Sequence, residues 1–351
     1  MALTATLGPP AGPVLVIVGT GGTISSRQAA NGGLAATDSA AHLAESVPAP
    51  PGKRLEADDF MRKNSFELTL GDMGRLARRV AMHAARPEVA GVVVTHGTDT
   101  IEETACLLEW TRSAPKPIVL TGAQRDADSP DSDGQANLRD ALALAASPLA
   151  QGLGVLVQFG GSVYSGIGLR KARTIALSPF DQPNGGAIGA VVNGQALIWQ
   201  RPPRRPAALP LPTEAFGQVR VDIVATYPSA DQTLAVAAQA AGAKGIVIEG
   251  TGCGNANSQL NSWIAQASAA GVVVVLGTRV AGGPMIAQYS AGGGFDAVRQ
   301  GALPSGLLTV PQARILLALL LDREPPAQAA ATFARYSTSV PARAGAPNRK
   351  E

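Results

Sequence analysis

Short, β-branched apolar runs recur along this chain with helix-length stretches between them, and that alternation narrows the fold more than any other feature. Runs at 14–18, 91–95, 117–121, 153–159, 221–225, 245–249 and 271–276 have the length and residue types of buried strands. Between them, 71–85, 99–112, 134–146, 230–242, 256–270 and 311–322 read as helices. Ile188–Asn193 and Ala196–Gln200 flank Gly194 and read as a hairpin. Repeated βα units build a parallel sheet with helices packed on it. Hydrophobic residues fill 46% of the 351 positions and aromatic ones only 4%, so Ala, Val, Leu and Ile must supply the core. The expected fold is α/β: a larger N-terminal domain on a parallel or mixed sheet, and a smaller C-terminal α/β domain.

The expected boundary is the stretch 201–212, whose five prolines suit neither a helix nor a central strand. Residues 1–200 would then form the first domain, 201–212 a linker, and 213–351 the second domain. Residues 25–58 are rich in Ala, Gly and Ser with little periodicity, and read as a long loop. The tail after about Tyr336 is expected to fray.

Charge excludes some partners. The 29 basic and 26 acidic residues give a net charge of only +3 and are interspersed along the chain. The local basic clusters are Arg201/Arg204/Arg205 and Arg349/Lys350. No Lys/Arg stripe with aromatic platforms marks a nucleic-acid surface. The first apolar run is about five residues long and follows no basic segment, so it reads as a strand rather than a leader or a membrane span. Cys106 and Cys253 make no disulfide framework and are expected to be reduced. The cytoplasm is the expected location.

Two strand runs end in turns crowded with hydroxyls. Val14–Val18 leads into Gly19-Thr20-Gly21-Gly22-Thr23-Ile24, and Gly91–Val94 into Thr95-His96-Gly97-Thr98-Asp99-Thr100. In open α/β sheets ligands bind just beyond the carboxyl ends of strands, so both turns are placed to line one pocket. Helix capping alone accounts for many of these residue types, since Asp99…Glu102 and Thr100…Glu103 both have capping-box spacing. The first turn completes no dinucleotide fingerprint, because Ile24 stands where a third glycine belongs, and it is no Walker loop. His42, His83 and His96 form no ligand cluster with the cysteines, and no Gly-x-Ser-x-Gly elbow occurs. Hydroxyl-based nucleophilic chemistry remains, with neither metal nor cofactor.

Together these turns, Ser65 and Lys171 resemble the bacterial-type L-asparaginase/glutaminase family. Gly21-Gly22-Thr23-Ile24 is similar to its first signature, and the stretch Thr95–Ala105 to its second. Leu120-Thr121-Gly122-Ala123-Gln124-Arg125 with Asp133–Leu138 resembles the next block, and Gly166–Thr174 the segment bearing its lysine. Gly252–Asn257 and Ala313–Leu316 resemble marks of its C-terminal domain.

The resemblance implies that Thr23 is the nucleophile, forming an acyl-enzyme ester with the substrate's side-chain amide. Thr98, Lys171 and Asp99 would complete the catalytic set, because a hydroxyl is a poor nucleophile until a neighbour takes its proton. A desolvated lysine can serve as that base. Asp99 would also bind the substrate α-amino group and Ser65 its α-carboxylate. The Ala123 backbone and the Thr98 N–H would orient the amide and its developing oxyanion. Phe66 occupies the next position of the binding segment, where the family usually has glutamine. The family's loop tyrosine has no counterpart in 25–46, and no acid stands near Ser290, where a neighbouring subunit would supply a glutamate. Tyr289 is the candidate substitute, and Asn257 a second accessory candidate. The resemblance also implies a homotetramer, a dimer of dimers, whose C-terminal domain completes the site and the subunit contacts.

The leading expectation is hydrolysis of L-asparagine, with L-glutamine or another amide as alternative. The asparaginase-like subunit of a tRNA-dependent amidotransferase would need a further N-terminal domain, and about thirteen residues precede the first run. A catalytically weak amino-acid-binding protein on the same scaffold is the reading from a different class.

Overall fold

A computed structural model describes residues 5–7, 12–203 and 206–337. Arg204, Arg205, Arg349, Lys350 and the tail beyond Ser337 lie outside the described residues. The chain divides into two compact units, Met1–Gln218 and Val219–Glu351.

The first unit begins with β1 (Ala5–Leu7), β2 (Val14–Gly21), the short pair β3 (Ser26–Gln28) and β4 (Leu34–Ala36), and α1 (Ala40–Glu45). It continues with β5 (Arg54–Lys63), α2 (Leu70–Ala85), β6 (Val89–Thr95), α3 (Ile101–Thr111), β7 (Ile118–Thr121) and α4 (Gly134–Ala146). Then follow β8 (Val155–Phe159), β9 (Ser162–Ser165), β10 (Arg170–Lys171), β11 (Phe180–Asp181), β12 (Gly189–Val192) and β13 (Gln195–Ile198). Nine strands form one mixed sheet in the order β1-β5-β2-β6-β7-β8-β9-β12-β13. Its centre, β5-β2-β6-β7-β8, is parallel, and the flanking pairs are antiparallel. All eight residues of β2 are buried, as expected of a strand covered on both faces. Leu15, Ile17, Val93, Val119 and Leu156 share one core with Leu138, Ala141, Leu142 and Ala145 of α4.

The second unit is a smaller parallel sheet: β14 (Val221–Ala225), α5 (Thr233–Ala240), β15 (Gly245–Gly250), α6 (Ser258–Ala269), β16 (Val273–Thr278), α7 (Gly294–Arg299), β17 (Leu303–Pro304), α8 (Val310–Leu321) and α9 (Pro326–Ser337). Its four strands pair in chain order, all parallel. Ile246, Ile248, Val274 and Leu276 pack on Leu260, Trp263 and Ile264 of α6. Among the described residues no helix is long and apolar enough to cross a membrane.

Two readings of the sequence need correction. Residues 25–58 are not one long loop, because they hold β3, β4, α1 and the start of β5. The pattern of β5 is hidden by buried acids. Glu56 and Asp58 sit inside, held by Arg86 in one case and by Arg79 and His83 in the other. Burial raises the Asp58 carboxyl, but the bonds from His83 and Arg79 outweigh it and hold Asp58 at about 2. The capping boxes at the start of α3 are also not formed. Thr100 occupies the N-cap position without a side-chain cap, and its hydroxyl donates to the Ser65 carbonyl instead.

The proline-rich stretch packs on the first unit. Leu209 is buried and its N–H donates to the Trp110 carbonyl, while Arg78 donates to the carbonyls of Pro212 and Thr213.

Candidate active site

The strand order fixes where a pocket can form. From β2 the chain crosses to β5 on one side, and from β6 it crosses to β7 on the other. The carboxyl ends of β2 and β6 therefore flank a topological switch point, where connections leave a crevice open. Four neighbouring strands deliver the expected residues there. Ser65 follows β5 on the turn Ser65–Glu67, and Thr23 follows β2 on the turn Thr23–Ser25. Thr98 and Asp99 follow β6 on the turn Thr98–Thr100, and Ala123 and Gln124 follow β7.

Glycines make these turns meet. Gly21 and Gly22 have φ of 102° and 76°, in the left-handed region. A side chain on Gly22 would overlap the backbone of Gly97 and the carbonyl carbon of His96. Thr23 and Thr98 thus each follow one member of a glycine pair in backbone contact. A side chain on Gly97 would collide with Ser65, which brings that hydroxyl to the same place. Ser65 is 3% exposed, and its Oγ accepts the Asp99 N–H at 3.2 Å.

Lys171, which the resemblance puts in the catalytic set, lies on β10 with Arg170 beside it and Arg173 two residues on. Here its Nζ donates to Thr98 Oγ1 at 2.7 Å and to Asp99 Oδ1 at 2.6 Å. Its side chain is 18% exposed against 51% for Asp99, so the lysine is the more buried partner of the pair. Glu102, in the first turn of α3, does not compete as counter-ion. Burial first and Glu103 second push its carboxyl up to about 8, against the pull of Arg170. At pH 7 Glu102 is largely neutral.

The turn after β7 is built by two residues from the start of α4. Asp133 accepts the N–H groups of Gln124 and Arg125, and Asn137 Nδ2 donates to the Gly122 carbonyl at 3.0 Å and to Asp133. Ala123 is fully buried beneath them. Phe66, next to Ser65 in the chain, is 64% exposed.

His96 has a structural part that the sequence did not reveal. It is fully buried, with Nδ1 at 2.7 Å from the Gly97 carbonyl and Nε2 at 2.9 Å from Thr104 Oγ1. A carbonyl only accepts, so Nδ1 carries the proton and Nε2 accepts from Thr104. Burial lowers the imidazole to about 4, against the Gly97 bond, which raises it. The unfolded chain binds this proton near pH 6.5 and the folded one does not until about 4. Folding stability should therefore fall as pH drops through that window, by up to about 3 kcal/mol from this group. Urea unfolding at pH 7 and pH 4.5 checks this: the loss should shrink in His96→Gln, and an equal loss in both proteins would refute it.

The segment after Thr23 is tied to its neighbours by ion pairs. Arg27 on β3 makes a two-pronged pair with Asp38 and a further one with Asp128, whose other oxygen accepts the Gln28 N–H. Of the accessory candidates, Asn257 caps α6 within the second unit, accepting from the Leu260 N–H and donating to the Ala230 carbonyl. Tyr289, in the same unit, is 55% exposed. Gln124 was named in the sequence only as part of a motif; its contacts with Thr98 emerge from the fold.

Relatives carry the same arrangement of domains. Residues 14–204 match the family described as Asparaginase, N-terminal, and residues 220–333 the Glutaminase/Asparaginase C-terminal domain. A probable L-asparaginase of Deinococcus radiodurans is 36% identical over 324 residues, covering 90% of this chain and 94% of that protein. A glutaminase-asparaginase of Pseudomonas fluorescens biotype A is 31% identical over 285 residues, 78% of this chain and 77% of that protein. The crystal structure of a probable cytoplasmic L-asparaginase from Campylobacter jejuni superposes with a TM-score of 0.79 at 28% identity, covering 92% of this chain and all of that one. With both domain families matched in order, and a relative aligned over nearly its whole length, this chain belongs to the asparaginase family.

Proposed function

We propose that this protein hydrolyses the side-chain amide of L-asparagine to L-aspartate and ammonia through a threonine acyl-enzyme. The observation that carries the reading is the pair of contacts in which Lys171 Nζ reaches both Thr98 Oγ1 and Asp99 Oδ1, on the turn whose Gly97 meets Gly22. Thr23 Oγ1 forms a bond to the amide carbon while its proton passes to Thr98, which hands its own to Lys171 Nζ, a step that Lys171 has to enter as the free amine. The tetrahedral adduct collapses, the C–N bond breaks, and the nitrogen leaves with the lysine's proton as ammonia. Water then adds to the ester carbon along the same proton path. The bond to Thr23 breaks, Thr23 regains its proton, and aspartate departs. Ser65 and the free side of Asp99 receive the α-carboxylate and α-amino group, Phe66 forms a wall beside them, and Ala123 with the Thr98 N–H faces the oxyanion.

The same reading includes a cytoplasmic homotetramer, with 1–200 as the catalytic domain, 201–212 as linker and 213–351 completing the site. Two free thiols, Cys106 and Cys253, fit a reducing compartment. The glutaminase-asparaginase relative favours L-glutamine as a second substrate.

Ammonia release from L-asparagine and L-glutamine, followed in parallel with hydroxylamine present, tests the proposal. Turnover with formation of the β-aspartyl hydroxamate is expected, since hydroxylamine intercepts an ester faster than water does. Turnover without hydroxamate would remove the acyl-enzyme, and no turnover would leave a binding protein.

A further inference from the structure

Gln124 plays no part in the steps above, yet its amide is the most constrained polar group touching Thr98. Its Nε2 lies 3.1 Å from the Thr174 carbonyl, and its Oε1 lies 3.0 Å from Thr98 Oγ1. The Thr174 carbonyl can only accept, so the NH₂ end must face it and the oxygen must face Thr98. That oxygen has no proton to give, so Thr98 must donate. In this arrangement the hydroxyl's one proton points to Gln124 while Lys171 donates to the Thr98 oxygen at 2.7 Å, so the proposed transfer requires only that this proton swing from Gln124 to the free amine about a fixed oxygen. The backbone of Gln124 is itself pinned, its N–H shared between both oxygens of Asp133. Thr174 lies three residues beyond Lys171 on the same segment. One amide therefore joins the turn bearing Thr98 to the strand end bearing Lys171.

We infer that Gln124 is a positioning residue for the proposed hydrolysis, holding the Thr98 oxygen and the Lys171 segment in the register that proton transfer between them requires. The inference rests on Thr98 being the group that passes the proton. Thr98 has two hydrogen-bonding neighbours at its hydroxyl, Lys171 and Gln124. Without Gln124 the Thr98 oxygen loses one of its two anchors, and the Lys171 segment loses its tie at Thr174. Substrate recognition by Ser65 and Asp99 does not pass through Gln124, whose contacts run to Thr98, Thr174 and Asp133.

The test uses the full-length enzyme with Gln124→Met, which keeps the length and removes both polar contacts, Gln124→Glu, which keeps an acceptor for Thr98, and Thr98→Val. Misplacement of reacting groups by about 1 Å costs on the order of 10²-fold. Gln124→Met should lower kcat for L-asparagine by roughly 10–100-fold with KM changed by less than about threefold, and Gln124→Glu should recover part of the loss. A drop confined to KM, or a Gln124→Glu enzyme no faster than Gln124→Met, overturns the inference. Full activity of Gln124→Met beside an inactive Thr98→Val overturns it too, while leaving the hydrolytic reading in place. Full activity of Thr98→Val would take Thr98 out of the proton path and overturn the inference with it, leaving the hydrolysis itself standing.

Discussion

Thr23→Ala is expected to lower ammonia release from L-asparagine by at least about 10³-fold, the scale on which losing a nucleophile is felt. The substitution removes a hydroxyl and a methyl from a half-buried side chain, and leaves the Lys171–Thr98–Asp99 contacts intact. Aspartate binding, read by thermal shift, should persist for that reason. Lys171→Met makes the complementary case. It keeps the aliphatic stem but withdraws the group that Thr98 and Asp99 both contact, so a loss of about 10²–10⁴-fold is expected. The two variants should also differ in character. Thr23→Ala cannot form the ester, whereas Lys171→Met can form it slowly, so a residual hydroxamate yield belongs to the lysine variant alone. Hydroxamate from Thr23→Ala at the wild-type rate would transfer the nucleophile to another hydroxyl, with Thr98 the nearest in sequence logic.

The second large effect is expected at Gly22. Alanine there must hold φ near 76°, a conformation that costs an L-residue roughly 1–2 kcal/mol. Its Cβ must also displace the Gly97 backbone, and overpacking of this kind costs about 1–3 kcal/mol. Gly22→Ala should thus destabilise the protein by about 2–5 kcal/mol in urea unfolding. It should also depress kcat by about 10²-fold, because the strain separates the two threonine turns. Gly32 supplies the control. It too has positive φ, at 81°, but a Cβ there meets open space, so Gly32→Ala should cost only about 1 kcal/mol and spare activity. Equal stabilities for the two variants would show that the close approach of the turns is unimportant.

Much of the fold can be read in the residue order. Apolar runs such as 14–18 and 245–249 become β2 and β15, and the helical stretch 134–146 coincides with α4. β5 was not legible, because its inward acids Glu56 and Asp58 are neutralised by Arg86, Arg79 and His83 from distant positions. Those partners lie 21 to 30 residues away, and no local periodicity records them. The cap expected of Thr100 is likewise not made, and the bond its hydroxyl does make, to the carbonyl of Ser65 35 residues earlier, is one that no local motif records.

The sequence by itself determined that two hydroxyl-bearing turns would follow buried strands, that the sheet would be largely parallel, and which family signatures the chain carries. These are properties of short windows, set by side-chain periodicity and by glycine's freedom at positive φ. Only the tertiary structure decided that Lys171, singled out in the sequence by the family resemblance alone, contacts Thr98 and Asp99, that His96 is a neutral strut, and that Gln124 bridges Thr98 to Thr174. Each of these roles depends on contacts between strand ends that are neighbours in the sheet but far apart in the chain. The order β5-β2-β6-β7 creates that neighbourhood, and burial within it then sets the charge states and the direction of each hydrogen bond.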